Sequence, residues 1–263
     1  MAREVISSRI VRIVQENDIV RSLYLNPVKK IPVPKPGQFF MVWVPGYEEV
    51  PMSVSGYYNG IVRISVAAVG KTTERLHRAR VGEYVGLKGP LGNGLIVEKK
   101  SYLLVGGGYG VAPLIYTAQR IVEMGGKATI IIGARTSGLL LMVNEAKNLG
   151  RVFLATDDGS KGFKGTALEL AERVLSSESF DVVVVCGPEP LLAGLALYCI
   201  KEKIRCMVYA EAYMKCGLGL CGSCVLGKSS IILCKDGPVI DAKLYISAIE
   251  LRARNRLVKE SRP

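Results

Sequence analysis

The sequence contains a single histidine and no long hydrophobic run. A membrane-spanning helix needs about 20 consecutive apolar residues. The longest apolar stretches, such as Leu139–Val143 and Val182–Cys186, have only the length of a strand or of one helix face. No secretory signal opens the chain. We therefore expect a globular, cytoplasmic protein without a membrane segment, and we assign no role to His77.

Acidic residues are scarce, with 23 Asp and Glu against 35 Lys and Arg, which gives a formal charge of +12. Such a charge attracts phosphates and acidic protein surfaces over long distances. The basic residues are scattered, however, without a basic helix or a patch interleaved with aromatic residues, and their densest cluster spans 252–262. We therefore predict no nucleic-acid partner. The charge indicates a solvated basic surface or a face that docks on an acidic partner.

Disulfide bonds are also unexpected, because the chain has an odd number of cysteines, seven, and is long enough to fold without them. Instead, Cys216, Cys221 and Cys224 follow the spacing C-x4-C-x2-C, interleaved with three glycines. Plant-type ferredoxins hold a [2Fe–2S] cluster with this arrangement. The loop must wrap around the cluster with its N–H groups facing the sulfurs, and glycine permits the conformations that this requires. Cys234 would supply the fourth thiolate, returned by two short strands joined at residues 227–230.

Two other interpretations of the cysteines stay open. A structural zinc site also uses four cysteines, but usually as two C-x2-C pairs, and here only Cys221 and Cys224 form one. Cys199 and Cys206 lie in apolar surroundings, so we interpret them as buried structural thiols and not as ligands.

The pattern of residues 1–97 is typical of short strands separated by proline and glycine. Six such strands predict a small antiparallel barrel. One helix, at about Thr73–Arg80, interrupts it. The predicted strands are Glu4–Val14, Ile19–Leu25, Gln38–Val44, Met52–Ser55, Ile61–Val66 and Tyr84–Lys88.

The start of that helix is a candidate phosphate site. Gly70, Thr72 and Thr73 offer hydroxyls and free N–H donors at the positive end of the helix dipole. An ordinary helix cap has the same appearance.

Residues 98–210 alternate apolar strands with amphipathic helices, a pattern that predicts a parallel, doubly wound sheet covered on both faces. The ligand of such a sheet lies at the carboxyl ends of its strands. The predicted strands are Tyr102–Val105, Thr129–Gly133, Val152–Thr156, Val182–Cys186 and Met207–Tyr209, and the predicted helices are Ala112–Met124, Gly138–Leu149, Thr166–Leu175 and Pro190–Lys203.

Two turns at these carboxyl ends are candidate nucleotide-binding loops. A glycine loop after the first strand can approach a pyrophosphate at the N-terminus of the following helix. The acidic residue that usually follows the second strand is missing, and Arg135 stands there instead. After the fourth strand, a thiol and a tight turn could lie beside a nicotinamide ring, although a plain strand-to-helix turn looks the same. The candidate residues are Gly106, Gly107, Gly108, Gly110, Cys186, Gly187 and Pro188.

In their order, these parts resemble the ferredoxin reductase superfamily and, within it, the family of electron-transfer subunits of dihydroorotate dehydrogenase type B. The most specific match is Met214–Cys224, continued by Cys234–Val239. The resemblance implies an FAD-binding barrel at 1–97, an NAD-binding domain at 98–210 and a [2Fe–2S] segment at 211–263. It also implies that the flavin ring lies against Pro51, Met52, Ser53, Ser65, Val66 and Ala67. Val50 stands where the family usually has an arginine on the flavin phosphates, so Thr72 and Thr73 would have to compensate.

The resemblance implies an electron relay. Electrons from dihydroorotate oxidation on a separate FMN-containing catalytic subunit would pass through the [2Fe–2S] cluster and FAD to NAD, in a hetero-oligomer. A flavin must stand between cluster and nicotinamide, because it exchanges electrons both singly and in pairs. No catalytic acid or base is expected in this chain. The alternatives are a subunit of a sulfhydrogenase or of a ferredoxin-dependent NAD(P) transhydrogenase, and a non-redox zinc-binding interaction protein.

Overall fold

A computed structural model describes residues 4–249 of the chain. Its first part is a closed antiparallel barrel with the strand order β1-β2-β5-β4-β3-β6. The barrel is filled by apolar side chains such as Ile10, Leu23, Phe40 and Ile64, all shielded from solvent. Its elements are β1 (Ile6–Gln15), β2 (Val20–Pro27), β3 (Phe39–Trp43), β4 (Val50–Tyr58), β5 (Ile61–Ala67), α1 (Lys71–His77) and β6 (Tyr84–Leu91).

The second part is a seven-stranded sheet with the order β10-β9-β8-β7-β11-β12-β13, parallel except for β13. Alternate side chains of its central strands enter two apolar cores, one on each face, as expected for a sheet covered by helices on both sides. Its elements are β7 (Ser101–Gly107), α2 (Val111–Glu123), β8 (Lys127–Ala134), α3 (Val143–Leu149), β9 (Arg151–Thr156), β10 (Phe163–Lys164), α4 (Ala167–Ser177), β11 (Val182–Cys186), α5 (Glu189–Lys201), β12 (Cys206–Tyr209), α6 (Leu233–Asp236) and β13 (Val239–Asp241).

Two contacts fasten the barrel to the sheet domain. Tyr116 of α2 is buried in the barrel core, and its hydroxyl donates a 2.6 Å hydrogen bond to the carbonyl oxygen of Pro34. Arg63 of β5 forms an ion pair with Glu145 of α3 at 2.7 Å. The relative position of the two halves, and of any cleft between them, is therefore fixed by side chains from both.

The cysteine segment begins where β12 ends and rejoins the sheet as β13, antiparallel to β12. A further helix covers 242–249. Apolar residues of the segment, including Met214 and Leu233, share a core with Met41 and Leu91 of the barrel. The segment is therefore attached to both halves of the molecule.

The fold class predicted from the sequence is confirmed, with local differences. The predicted helix at Gly138–Leu149 starts only at Val143, because a 3-10 turn at Ser137–Leu139 precedes it and Met142 adopts a left-handed conformation. In place of the two strands expected around residues 227–230, a single bridge joins Val225 to Ile232, followed by α6. The basic cluster at 252–262 lies outside the described residues, and no helix within them is long and apolar enough to cross a membrane.

Candidate functional site

A cleft opens between the barrel and the sheet domain. Its barrel side is formed by β4 and β5, and its sheet side by the loop before α2 and by the chain after β12. Most of the lining is apolar, as expected for a site that receives a flat aromatic ring. The lining residues are Phe39, Pro51, Met52, Ser53, Ser65, Ala67, Val69, Thr73, Tyr109, Gly110, Ala112, Pro113, Ala210, Glu211, Ala212, Met214 and Pro238.

The family resemblance implied six residues for the flavin wall, and five of them line this cleft: Pro51, Met52, Ser53, Ser65 and Ala67. Side chains alternate between the two faces of a strand, so the side chain of Val66 points the other way and is fully buried in the barrel core. Any contact of Val66 with a ring in the cleft would therefore come from its backbone.

The predicted phosphate site lies beside this cleft. Thr73 lines the cleft, and its hydroxyl accepts a 2.9 Å hydrogen bond from the N–H of Gly70. Thr72 is buried, and its hydroxyl donates to the carbonyl oxygen of Glu48 at 3.0 Å. The two hydroxyls are thus engaged within the protein. The donors that remain for a phosphate are the N–H groups of the first turn of α1, which have no partner within the helix.

The glycine loop after β7 and the turn after β11 lie back to back. A Cβ atom at Gly110 would be 2.6 Å from the carbonyl oxygen of Cys186, and one at Gly187 would be 3.0 Å from the N–H nitrogen of Gly107. Glycine is required here by the close approach of two backbones. The two predicted nucleotide loops therefore form one structural unit.

The predicted nucleotide residues divide between surface and interior. Gly107, Gly108 and Pro188 line a second cleft, which also includes Arg135 and Asp157 and is closed on the barrel side by residues 17–20. Gly187 lines a third cleft beside it, and Gly110 lines the flavin cleft. Gly106 and Cys186 are buried and line none of the three. Burial raises the pKa of the Cys186 thiol, so this group stays neutral at physiological pH.

The four predicted cluster cysteines meet in the segment after β12, and backbone N–H groups point at their sulfurs. Leu218 donates to Sγ of Cys216 at 3.3 Å, and Gly219 donates to Sγ of Cys234 at 3.1 Å. Sγ of Cys224 accepts from the N–H of Cys234 at 3.4 Å. Hydrogen bonds of this kind stabilise thiolates and tune iron–sulfur clusters.

The thiols interact in two pairs. Sγ of Cys216 interacts with Cys221, and Sγ of Cys234 interacts with Cys224. Burial opposes ionisation of Cys216, but three backbone N–H groups outweigh it and lower the pKa of this thiol to about 6. Burial and the Cys224 thiol raise the pKa of Cys234 to about 12. Within the described residues, no three histidine, cysteine, aspartate or glutamate side chains converge on a single metal position. Cys216 also contributes to the raised pKa of Cys234, so the two pairs lie close to each other.

Tyr109 and Glu211 occupy the junction of the clefts, and sequence reasoning assigned no role to either. Tyr109 lines all three clefts, and Glu211 lines the flavin cleft and the third cleft. The Glu211 charge is the main cause of a raised pKa at Tyr109. Glu211 is exposed at the clefts, and partial desolvation by the neighbouring protein raises the pKa of its carboxyl group. In the sequence, Tyr109 could have been recognised as a candidate site residue because it lies inside the predicted glycine loop.

A largely apolar cleft between an antiparallel barrel and a parallel sheet, beside a four-cysteine segment, defines the class of ferredoxin reductase-like flavoproteins with an iron–sulfur segment. A solved structure of this class, an NADH-dependent reduced ferredoxin-NADP oxidoreductase studied for flavin-based electron bifurcation, superposes with a TM-score of 0.83 at 28% identity, covering 94% of this chain and 93% of that one.

Sequence comparison defines the class more narrowly. The family model for the iron-sulfur cluster binding domain of dihydroorotate dehydrogenase B matches residues 211–244. A probable dihydroorotate dehydrogenase B (NAD(+)) electron transfer subunit of Methanocaldococcus jannaschii is 36% identical over 231 residues, which cover 88% of this chain and 87% of that protein. The protein of the same description from Thermoplasma volcanium is 37% identical over 241 residues, 92% of this chain and 91% of that protein. The chain belongs to the family of dihydroorotate dehydrogenase B electron transfer subunits.

Proposed function

We propose that this protein passes electrons from dihydroorotate, oxidised on a separate FMN-containing catalytic subunit, through a [2Fe–2S] cluster and FAD to NAD. It is a flavin and iron–sulfur oxidoreductase subunit in the family defined above. The observation that carries the proposal is the adjacency of three sites in one chain: a flavin cleft, a nucleotide cleft that meets it at Tyr109, and a four-thiol segment whose chain continues from the wall of the flavin cleft. The chain alone is proposed not to oxidise dihydroorotate.

The donor set supports a binuclear cluster. A [2Fe–2S] cluster takes two protein ligands on each of its two irons, and the thiols form the pairs Cys216–Cys221 and Cys224–Cys234. A structural zinc ion needs four ligands around one position, whereas the family model that matches residues 211–244 is that of an iron-sulfur cluster binding domain. We therefore assign these four cysteines to the cluster and set the zinc interpretation aside.

The flavin cleft suits a flat, uncharged aromatic ring, because most of its wall is apolar. Pro51, Met52 and Ala67 supply apolar walls, and Ser53 supplies a polar side chain at the mouth. The Ser65 hydroxyl already bonds to Ser22 and Ser55 at 2.9 and 2.8 Å, so its role is to fix the strand surface against which a ring would lie. The flavin phosphates are assigned to the first turn of α1 at residues 70–73, because Val50 offers no cation.

The nucleotide is assigned to the second cleft, with its pyrophosphate at Gly107 and Gly108 and its nicotinamide directed towards Tyr109 at the flavin cleft. When bound, the cofactors supply two-electron hydride chemistry on the nicotinamide side and single-electron chemistry at the cluster. The protein holds the cofactors in position, because the back-to-back loops at Gly110 and Gly187 fix the nucleotide cleft relative to the flavin cleft.

The domain limits at 1–97, 98–210 and 211–263 are part of the same proposal. So is a cytoplasmic location, which cell fractionation would test.

The decisive experiment is a pull-down from native extract, followed by an assay with dihydroorotate and NAD. The expected result is an FMN-containing partner and formation of NADH. A second candidate is a subunit of a ferredoxin-dependent NAD(P) transhydrogenase, favoured by the structural similarity at a TM-score of 0.83. A partner that exchanges electrons with ferredoxin and is inactive on dihydroorotate would replace the first proposal with the second.

Cofactor content is tested on protein purified without air. The visible spectrum should show flavin and iron–sulfur absorption, and metal analysis should find iron and acid-labile sulfide. Zinc without iron would overturn the cluster assignment. Cys221→Ser should remove the cluster and spare reduction of the flavin by NADH, because Cys221 lines neither the flavin cleft nor the nucleotide cleft. Cys199→Ser is the matched control, since this buried thiol belongs to α5 and interacts with Cys206, outside the four predicted ligands, and it should keep its iron.

A further inference from the structure

The turn between β1 and β2, residues 16–19, reaches from the barrel to the sheet domain. Val20, the first residue of β2, is buried in one of the two cores of the sheet domain. Asn17, Ile19 and Val20 line the second cleft, which is the nucleotide cleft, and all the other described residues that line it belong to the sheet domain. One wall of the nucleotide cleft therefore comes from the barrel.

Hydrogen bonds to three parts of the molecule hold this turn in place. Oδ1 of Asn17 accepts from the N–H groups of Ile19 and Val20 at 3.1 and 2.9 Å, which closes the turn on itself. Nδ2 of Asn17 donates to the carbonyl oxygen of Leu139 in the sheet domain at 3.1 Å. Nε2 of His77, in α1, donates to the carbonyl oxygen of Ile19 at 3.1 Å. A wall that is already fixed costs a ligand little ordering free energy.

The side chain of Ile19 offers an apolar surface at one end of the nucleotide cleft. It is 46% exposed. With the pyrophosphate at Gly107 and Gly108 and the nicotinamide directed towards Tyr109, the adenosine half of the dinucleotide has to extend away from the flavin cleft. Ile19 and Leu139 line the part of the nucleotide cleft that remains for it. The flat face of a purine loses contact with water when it packs on such a side chain, which is favourable.

We propose that the β1–β2 turn is part of the nucleotide site, with Ile19 packed against the adenosine half of NAD and Asn17 as the positioning residue that holds the turn on the sheet domain. This proposal rests on the nucleotide cleft assigned above. It gives the barrel a second ligand besides the flavin. The bound nucleotide then contacts both halves of the molecule, and its affinity depends on their relative position.

The test measures binding of ADP-ribose, which contains the adenosine and the pyrophosphate but no nicotinamide, by calorimetry on the protein carrying its cofactors. In Ile19→Ser the Kd for ADP-ribose should rise about 10-fold, the lower end of what a lost apolar contact costs in a binding pocket, because Ile19 is only half-buried before binding. Val28→Ser is the matched control. Val28 follows the other end of β2, is 62% exposed and lines none of the three clefts, so its variant should bind ADP-ribose like the wild type.

The kinetics of flavin reduction separate a binding contact from a distorted site. In stopped-flow experiments with NADH, Ile19→Ser should raise the apparent Kd by the same factor and change the limiting rate less than twofold, because the nicotinamide and the flavin keep their positions. Reduced nicotinamide mononucleotide, which has no adenosine, should reduce the flavin equally well in both proteins.

Asn17→Asp isolates the link to the sheet domain. A carboxylate keeps an acceptor for the N–H groups of Ile19 and Val20, but it has no donor for the Leu139 carbonyl oxygen. The Kd for ADP-ribose should rise about 5-fold, the equivalent of one hydrogen bond, again with an unchanged limiting rate.

Three outcomes would contradict these assignments, and they differ from one another. An unchanged ADP-ribose affinity in Ile19→Ser would overturn the contact with the turn, and an unchanged affinity in Asn17→Asp would overturn the positioning role. An equal loss with reduced nicotinamide mononucleotide would show that Ile19 acts on the whole cleft and not on the adenosine half. Wild-type protein without affinity for NAD would instead overturn the nucleotide cleft itself, and with it the proposed function.

Discussion

The ion pair between Arg63 and Glu145 joins the barrel to the sheet domain, and its removal should be costly. Only 2% of the Arg63 side chain is exposed, and its guanidinium group binds both oxygens of Glu145, at 2.7 and 3.0 Å. The Arg63 Nε–H donates to the carbonyl oxygen of Ser55 at 3.2 Å, and the Tyr58 hydroxyl donates to Glu145 at 3.2 Å. Burial acts to lower the pKa of Arg63, but Glu145 outweighs it and the pKa is raised. The arginine therefore keeps its charge.

We expect Glu145→Gln to destabilise the protein by about 3 kcal/mol. Breaking a buried ion pair by removing one partner costs about 3–5 kcal/mol, because the remaining charge stays buried without compensation. We take the lower end of this energy range, because 33% of the Glu145 side chain is exposed and water can partly replace the lost carboxylate. A change of about 3 kcal/mol corresponds to a roughly 150-fold change in the unfolding equilibrium, at 1.4 kcal/mol per factor of ten.

Guanidinium unfolding at 25 °C, followed by circular dichroism, would measure this cost. Glu178→Gln is the control: Glu178 pairs with Arg151 at the surface, where both side chains are well exposed, and such pairs contribute about 0–1 kcal/mol. A double-mutant cycle with Arg63→Met should give a coupling energy of the same order as the loss in Glu145→Gln. If Glu145→Gln were no more destabilising than Glu178→Gln, the interpretation of this pair as the fastening between the two halves would be wrong.

Three further predictions follow from local geometry. Thr166→Ala removes the hydroxyl that caps α4 and should cost about 1 kcal/mol in the free energy of unfolding; an unchanged denaturation midpoint would contradict the capping role. Gly110→Ala would place a Cβ atom 2.6 Å from the Cys186 carbonyl oxygen and should weaken NAD binding in a titration, whereas Gly138→Ala, with open space around it, should not. Because the folded-state pKa of Glu211 is raised, the folded protein binds more protons than the unfolded chain above the ordinary pKa, and stability falls as pH rises through this window. Glu211→Gln should therefore gain stability relative to wild type as the pH rises above the ordinary carboxyl pKa of 4.5, and a difference in melting temperature between the two proteins that does not change with pH would refute the assignment.

Local patterns allowed the main features of the fold to be predicted from the sequence. Before residue 97 the hydrophobic pattern is that of short strands, and after it strands alternate with helices, which indicates the barrel and the sheet. The C-x4-C-x2-C spacing predicts a cluster segment, because these three ligands lie within nine residues of one another. The fourth thiol, Cys234, is also close in sequence. Each of these features depends on neighbours along the chain, so composition and spacing are sufficient to find it.

Features that depend on tertiary contacts escaped prediction. Arg63 and Glu145 are separated by 82 positions, and nothing local indicates their pairing, although an arginine inside an apolar strand was an available signal of a buried partner. Glu211 gains its environment from loops that precede it by about 25 and 100 residues. The alternation of side chains along β5 could have shown that Val66 faces away from its neighbours Ser65 and Ala67. The roles of the individual site residues stay predictions.

The cysteine segment leaves the sheet after β12 and returns as β13 directly beside it, with Tyr209 opposite Val239. Its two ends are therefore only about one interstrand spacing apart, roughly 4.8 Å. An insertion with neighbouring ends can be lengthened, shortened or exchanged at little entropic cost, because loop-closure entropy grows slowly with loop length. The cysteine segment is consequently an insert in a β-hairpin, yet its first and last residues also form part of the flavin cleft. A short turn in its place would remove the four cysteines together with Ala210, Glu211, Ala212, Met214 and Pro238, so the proposed cluster and the flavin are expected to be lost together.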